Sequence, residues 1–128
     1  MPKEKFSITK RLRSFGYAFN GLKILIREEH NARIHLITAV VAITAGFCLH
    51  ISALEWIAIV FAIGFVITLE IINSAIENIA DFVSPEKHDT IKKIKDLAAA
   101  GVLISSITAL IIGLIVFLPK ILVYLSLI

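Results

Sequence analysis

Two stretches of the chain, Ile34–Leu54 and Ala98–Leu118, contain no Asp, Glu, Lys or Arg. Each has about the 20 residues that a helix needs to cross the hydrocarbon of a bilayer. A third stretch, Trp56–Leu69, is just as apolar but too short to cross by itself. It reaches the required length only by running on through Glu70, Asn73 and Glu77. Composition points the same way. Hydrophobic residues make up 58% of the 128 residues and charged residues 18%. That is too little polar surface for a water-soluble globule, and too much hydrophobicity for a disordered chain. The expected fold is all-α and membrane-embedded: one domain over residues 1–128, with spans near 34–54, 56–80 and 98–118.

Charge orients the spans. Of 13 basic residues, eight lie in Met1–Arg33 and none between Ile34 and Glu86. Lys87, Lys92, Lys93 and Lys95 follow the second span, and Lys120 alone follows the third. The bias of Lys and Arg toward the cytoplasm places the N-terminus inside and the C-terminus outside. Trp56 then falls at the outer interface, where indoles concentrate. The first apolar run begins too late and lacks the cleavage pattern of a signal peptide. Basic residues that flank apolar spans also argue against a nucleic-acid binder. Cys48 is the only cysteine, so no intrachain disulfide forms.

Ahead of the first span, Ile8, Leu12, Phe15, Phe19, Leu22 and Ile26 recur at spacings of three and four. This is one stripe of a helix over about residues 6–29. Lys10, Arg11, Arg13, Lys23 and Arg27 lie off the stripe. A basic amphipathic helix of this kind lies in the plane of the membrane interface. Packing against other protein is the alternative. Later, Ser84-Pro85 and Asp89-Thr90 bound a short turn. The third span's helix starts near Thr90, enters the membrane near Ala98, and Pro119 marks its end.

The middle span carries the informative polarity. Glu70, Asn73, Ser74, Glu77 and Asp81 share one helical face at about 100° per residue. Acids inside a span are expensive, at roughly 2.5–3.5 kcal/mol each on insertion scales. A helix that ends at Leu69 would make the acids a solvated extension, but would leave a segment too short to cross. An ion, proton or catalytic site is the better reading. Oxygen donors suit Mg²⁺. Glu28, Glu29, Asn31, Arg33, Glu86, Lys87, His88, Lys92, Lys95 and Asp96 lie at the same level. Carboxylates and lysines at one interface are the parts that phosphoryl transfer uses, although no Walker motif or glycine-rich kinase loop is present. His35 and His50 read as interfacial residues without a ligand role, and Cys48 as packing.

Glu70-Ile-Ile-Asn73-Ser74-Ala75-Ile76-Glu77, then Asp81, then Lys95-Asp96, resembles the signature of the prokaryotic diacylglycerol kinase family, the small integral-membrane type. Gly16-Tyr17 and Asn20-Gly21-Leu22 extend the likeness, which covers nearly the whole chain. The resemblance implies a surface helix plus three spans, assembled as a homotrimer with active sites shared between neighbouring chains. It implies a multi-pass protein of the bacterial plasma membrane that moves the γ-phosphoryl group of MgATP to a lipid hydroxyl. By position, Glu70 is then the general base, and Glu29 and Glu77 hold Mg²⁺. Tyr17, Asn73, the Glu86–His88 turn, Lys95 and Asp96 meet ATP. Lys10 meets both ATP and substrate, with Arg11 beside it as an alternative. Ala99 contacts substrate, and Asp81 is a structural support. Glu28 and Glu29 are separated by register alone.

The family contains diacylglycerol kinases and undecaprenol kinases. Asn73-Ser74-Ala75 looks like the first type, whereas Asn31-Ala-Arg33-Ile-His35 and Glu55-Trp56 look like the second. Diacylglycerol is the nominal substrate and undecaprenol the alternative. A non-catalytic transporter subunit that carries protons or cations on the membrane acids is the reading from another class.

Overall fold

The computed structural model describes residues 3–126, and all of their regular structure is helical. Four helices follow in order: α1 (Ile8–Glu28), α2 (His30–Cys48), α3 (Ala53–Val83) and α4 (Asp89–Ser126). Three of them, α2, α3 and α4, are long and apolar enough to cross a membrane.

Helix α1 begins at Ser7, whose hydroxyl accepts the Lys10 N–H, as an N-cap does. Its apolar stripe is uncovered: Leu12, Phe15 and Phe19 are all exposed, and only Leu25 is buried. The protein's own chain therefore does not cover this face, as expected of a helix that lies on lipid or on other protein. Between α1 and α2 stands a single non-helical residue, Glu29, with extended backbone (φ −111°, ψ 113°). Arg33 reaches back from α2 and donates to the Ile26 and Arg27 carbonyls. These are carbonyls that the end of α1 leaves without helical partners.

The α2–α3 turn is closed by local chemistry. His50 is left-handed (φ 49°), the Ile51 N–H donates to the Gly46 carbonyl, and the His50 N–H donates to the Phe47 carbonyl. This pair of bonds is a Schellman ending, in which glycine more often takes the left-handed place. Ser52 and Glu55 then form a reciprocal capping box that starts α3. Gly46 is required by a close approach: a Cβ there would sit 2.6 Å from Trp56 Cη2. Phe47 lies 4.8 Å from the Trp56 ring, centroid to centroid.

Helix α3 does not stop at Leu69. It runs unbroken for 31 residues to Val83, about 46 Å, so the acidic face belongs to one continuous helix. Helix α4 returns antiparallel to it. Asp81 near the end of α3 meets Lys95 near the start of α4, and Glu55 at the start of α3 meets Lys120 near the end of α4 at 3.1 Å. A small core of Ile51, Ile59 and Val116 packs between them near the Trp56 end. Many large apolar side chains of the three long helices remain exposed, among them Phe61, Leu110 and Ile115. Such a surface demands lipid or further protein around it.

Several boundaries differ from the sequence expectation. Helix α2 ends at Cys48, short of the Leu54 expected for the first span, because the turn over Leu49–Ser52 intervenes, and α3 starts at Ala53 and runs to Val83, beyond the expected 56–80 at both ends. Helix α4 starts at Asp89, one residue early, and it passes through Pro119 to Ser126. Proline removes one backbone donor, but an apolar surrounding offers the remaining carbonyls nothing better than the helix. Continuation also carries Lys120 to Glu55. The first nine residues of α4, Asp89–Leu97, hold five of its six charged side chains, so its apolar crossing length begins at Ala98.

Candidate active site

The acidic face of α3 is where the polar groups of three segments meet. Glu70 is the most deeply buried charged residue, 2% exposed. Its Oε1 lies 3.1 Å from Nε2 of His35 on α2. The two are close in distance but not aligned as a hydrogen bond, and among the described residues Oε1 has no other partner. One turn along, Ser74 is also buried, and its hydroxyl donates to Oε1 of Glu29 at 3.3 Å. The extended backbone at Glu29 is what turns this carboxylate from the α1–α2 joint toward α3. Glu28 stays exposed on α1. Asn73 places a second buried oxygen, Oδ1, on the same face without a partner. Glu77 follows, half-buried.

Beyond Glu77 the face continues as ion pairs. Lys95 Nζ donates to Asp81 Oδ1 at 2.5 Å, and Lys92 donates to Asp96 Oδ2 at 2.6 Å. Each of these hydrogen bonds raises its lysine above the ordinary lysine value, against a smaller opposing effect of desolvation for Lys95. Asp81 therefore holds Lys95 at the end of the acidic face. In the turn, His88 Nδ1 accepts the Thr90 N–H at 3.1 Å and caps α4, and the Glu86 carbonyl accepts the Ser84 hydroxyl. Ala99 is exposed on α4.

The residues expected on α1 are not drawn in. Lys10 pairs with Glu4 at 3.1 Å, Arg11 lies over the Phe6 ring, and Tyr17 is exposed. These three line a groove at the start of α1, and among the described residues none of their polar contacts reaches α3. One chain thus assembles Glu29, His35, Glu70, Ser74 and Asn73, and sets Lys95 against Asp81, but leaves the basic end of α1 apart.

His35 is the residue that the sequence reading passed over. It is a lone histidine in an apolar run, and only the packing of α2 on α3 brings it to Glu70. Its position, six residues past Glu29 and therefore nearly two turns deeper, was the available signal.

Among the described residues, no three His, Cys, Asp or Glu side chains converge as a metal site. The donor set is two carboxylates, Glu29 and Glu77, with the orphaned Asn73 Oδ1 between them in sequence. That is sparse for a resident ion. It fits Mg²⁺ that arrives on phosphate, because Mg²⁺ keeps much of its water and takes only one or two protein carboxylates.

Residues 16–117 match the family described as prokaryotic diacylglycerol kinase. The undecaprenol kinase of Bacillus subtilis (strain 168) is 34% identical over 113 residues, 88% of this chain and 92% of that one. The diacylglycerol kinase of Synechocystis sp. is 37% identical over 110 residues, 85% of this chain and 63% of that protein's length. The diacylglycerol kinase of Escherichia coli (strain K12) is 29% identical over 103 residues, 80% and 84% of the two chains.

Proposed function

The chain belongs to the prokaryotic diacylglycerol kinase family, and from that premise we propose that it moves the γ-phosphoryl group of MgATP to the hydroxyl of a membrane lipid, with Glu70 as general base. The observation that carries this reading is the burial of Glu70 beside His35, one turn from a Glu29 carboxylate that Ser74 draws onto the same face. In the reaction, the lipid oxygen bonds to the γ-phosphorus as the bond from that phosphorus to the β–γ bridging oxygen breaks. The hydroxyl proton goes to Glu70, and ADP leaves. Glu29 and Glu77 hold Mg²⁺, which neutralises phosphate charge when bound. Lys95 and Asp96 lie at the water end of the face, where ATP enters, with Asn73, Glu86 and His88 alongside. Ala99 lies on the lipid path.

The N-terminus is cytoplasmic, the C-terminus outside, and the membrane is the bacterial plasma membrane. Lys10, Arg11 and Tyr17 act on a neighbouring copy, in a homotrimer with composite sites. Their separation from α3 within one chain, and the bare apolar faces of the helices, support that assembly. Co-expression of a Glu70→Gln chain with a Lys10→Ala, Arg11→Ala chain tests it, because a shared site can then take α3 from one chain and α1 from the other. Mixed assemblies recover activity if sites are shared, and no recovery at any ratio removes the composite model.

The nominal acceptor is diacylglycerol. Undecaprenol is the second reading, because the chain matches nearly the full length of an undecaprenol kinase. Purified protein in micelles, given labelled ATP and each lipid side by side, decides the matter. Label in neither lipid would overturn the kinase reading.

A further inference from the structure

We propose that His35 is a positioning residue for the base: its imidazole holds one carboxylate oxygen of Glu70, so that the other faces the lipid hydroxyl. The inference rests on the kinase reading and deepens it. Three observations carry it. Nε2 of His35 lies 3.1 Å from Glu70 Oε1. That oxygen has no aligned hydrogen bond from the protein. The two side chains come from different helices, at the depth where α2 packs on α3, and both are largely shielded from solvent.

A buried carboxylate with a single donor beside it is oriented by that donor. Hydrogen bonds of this kind are often long or skewed without substrate and tighten once it binds. The other charged groups around Glu70 are carboxylates: Glu29 from the α1–α2 joint and Glu77 on its own helix. Lys95 from α4 is turned toward Asp81 and Glu77 instead. His35 is therefore the one described donor set to fix Glu70.

The test uses purified full-length protein in micelles, with labelled ATP and the accepted lipid. His35→Ala should lower kcat about tenfold or more, with KM for MgATP unchanged. His35→Gln, whose amide can still donate to the carboxylate, should regain part of that loss. Thermal unfolding of both variants accompanies the kinetics. Wild-type kcat in His35→Ala would overturn the proposal. So would equal losses in both variants with a matching fall in unfolding temperature. An inactive wild type would instead strike the kinase reading itself.

Discussion

Glu70→Gln separates catalysis from stability, because the structure predicts opposite signs for the two. A positioned general base contributes about 10²- to 10⁴-fold. At about 1.36 kcal/mol per decade, that is roughly 2.7–5.4 kcal/mol of barrier. The amide keeps the shape of the carboxylate and cannot take the proton, so kcat should fall by that factor. Stability should move the other way. Glu70 is 2% exposed, and its Oε1 lacks an aligned donor. A buried polar group left unpaired costs about 1–3 kcal/mol, and more if it is charged. Neutralising it therefore leaves the fold intact and raises its resistance to unfolding. The assay pairs initial rates of lipid phosphorylation with thermal unfolding in the same micelles. A rate within tenfold of wild type refutes Glu70 as the base. A rate loss with an equal loss of stability refutes the claim that the residue is held at a cost for chemistry.

Glu77→Ala should weaken MgATP binding and raise the Mg²⁺ concentration for half-maximal rate, read by titrating Mg²⁺ at fixed ATP. Unchanged dependence would remove Glu77 from the metal. Ser74→Ala deletes the hydroxyl on Glu29 at 3.3 Å. At about 1 kcal/mol for such a bond, the same Mg²⁺ titration should shift about fivefold. Gly46→Ala forces a Cβ to 2.6 Å from the Trp56 ring, whereas a Cβ at Gly64 meets nothing within 4 Å of its own chain. Both changes gain the same helix propensity, so Gly46→Ala should be about 1–3 kcal/mol less stable than Gly64→Ala. Equal unfolding temperatures would show that the turn is not tightly packed.

Periodicity made the acidic face legible before any coordinates. Glu70, Asn73, Ser74 and Glu77 align on a helix whatever surrounds it, and the cost of acids in hydrocarbon marks them as purposeful. The choice between Glu28 and Glu29 was not legible, because it depends on where one helix stops and the next begins. The extended backbone at Glu29 settles which carboxylate turns to Ser74. The place of His35 beside Glu70 was not legible for a related reason. A single histidine in an apolar run carries no periodic signal, and its meaning comes from the neighbour that α2 brings to it. Pro119 was misread because a proline stop rule belongs to water, where freed carbonyls find other partners. Here the helix runs on to the Lys120–Glu55 pair.

The single residue between α1 and α2 has a mechanical consequence. A joint one residue long, with the last carbonyls of α1 clasped by Arg33 from α2, has little slack. Helix α1 is therefore a lever, and Glu29 is its fulcrum. With its bare apolar stripe resting on lipid or on other protein, the tilt that α1 adopts would be delivered to the carboxylate at its root. The enzyme's rate should then register the surface tension and charge of the bilayer it lies on, as well as the concentration of its lipid.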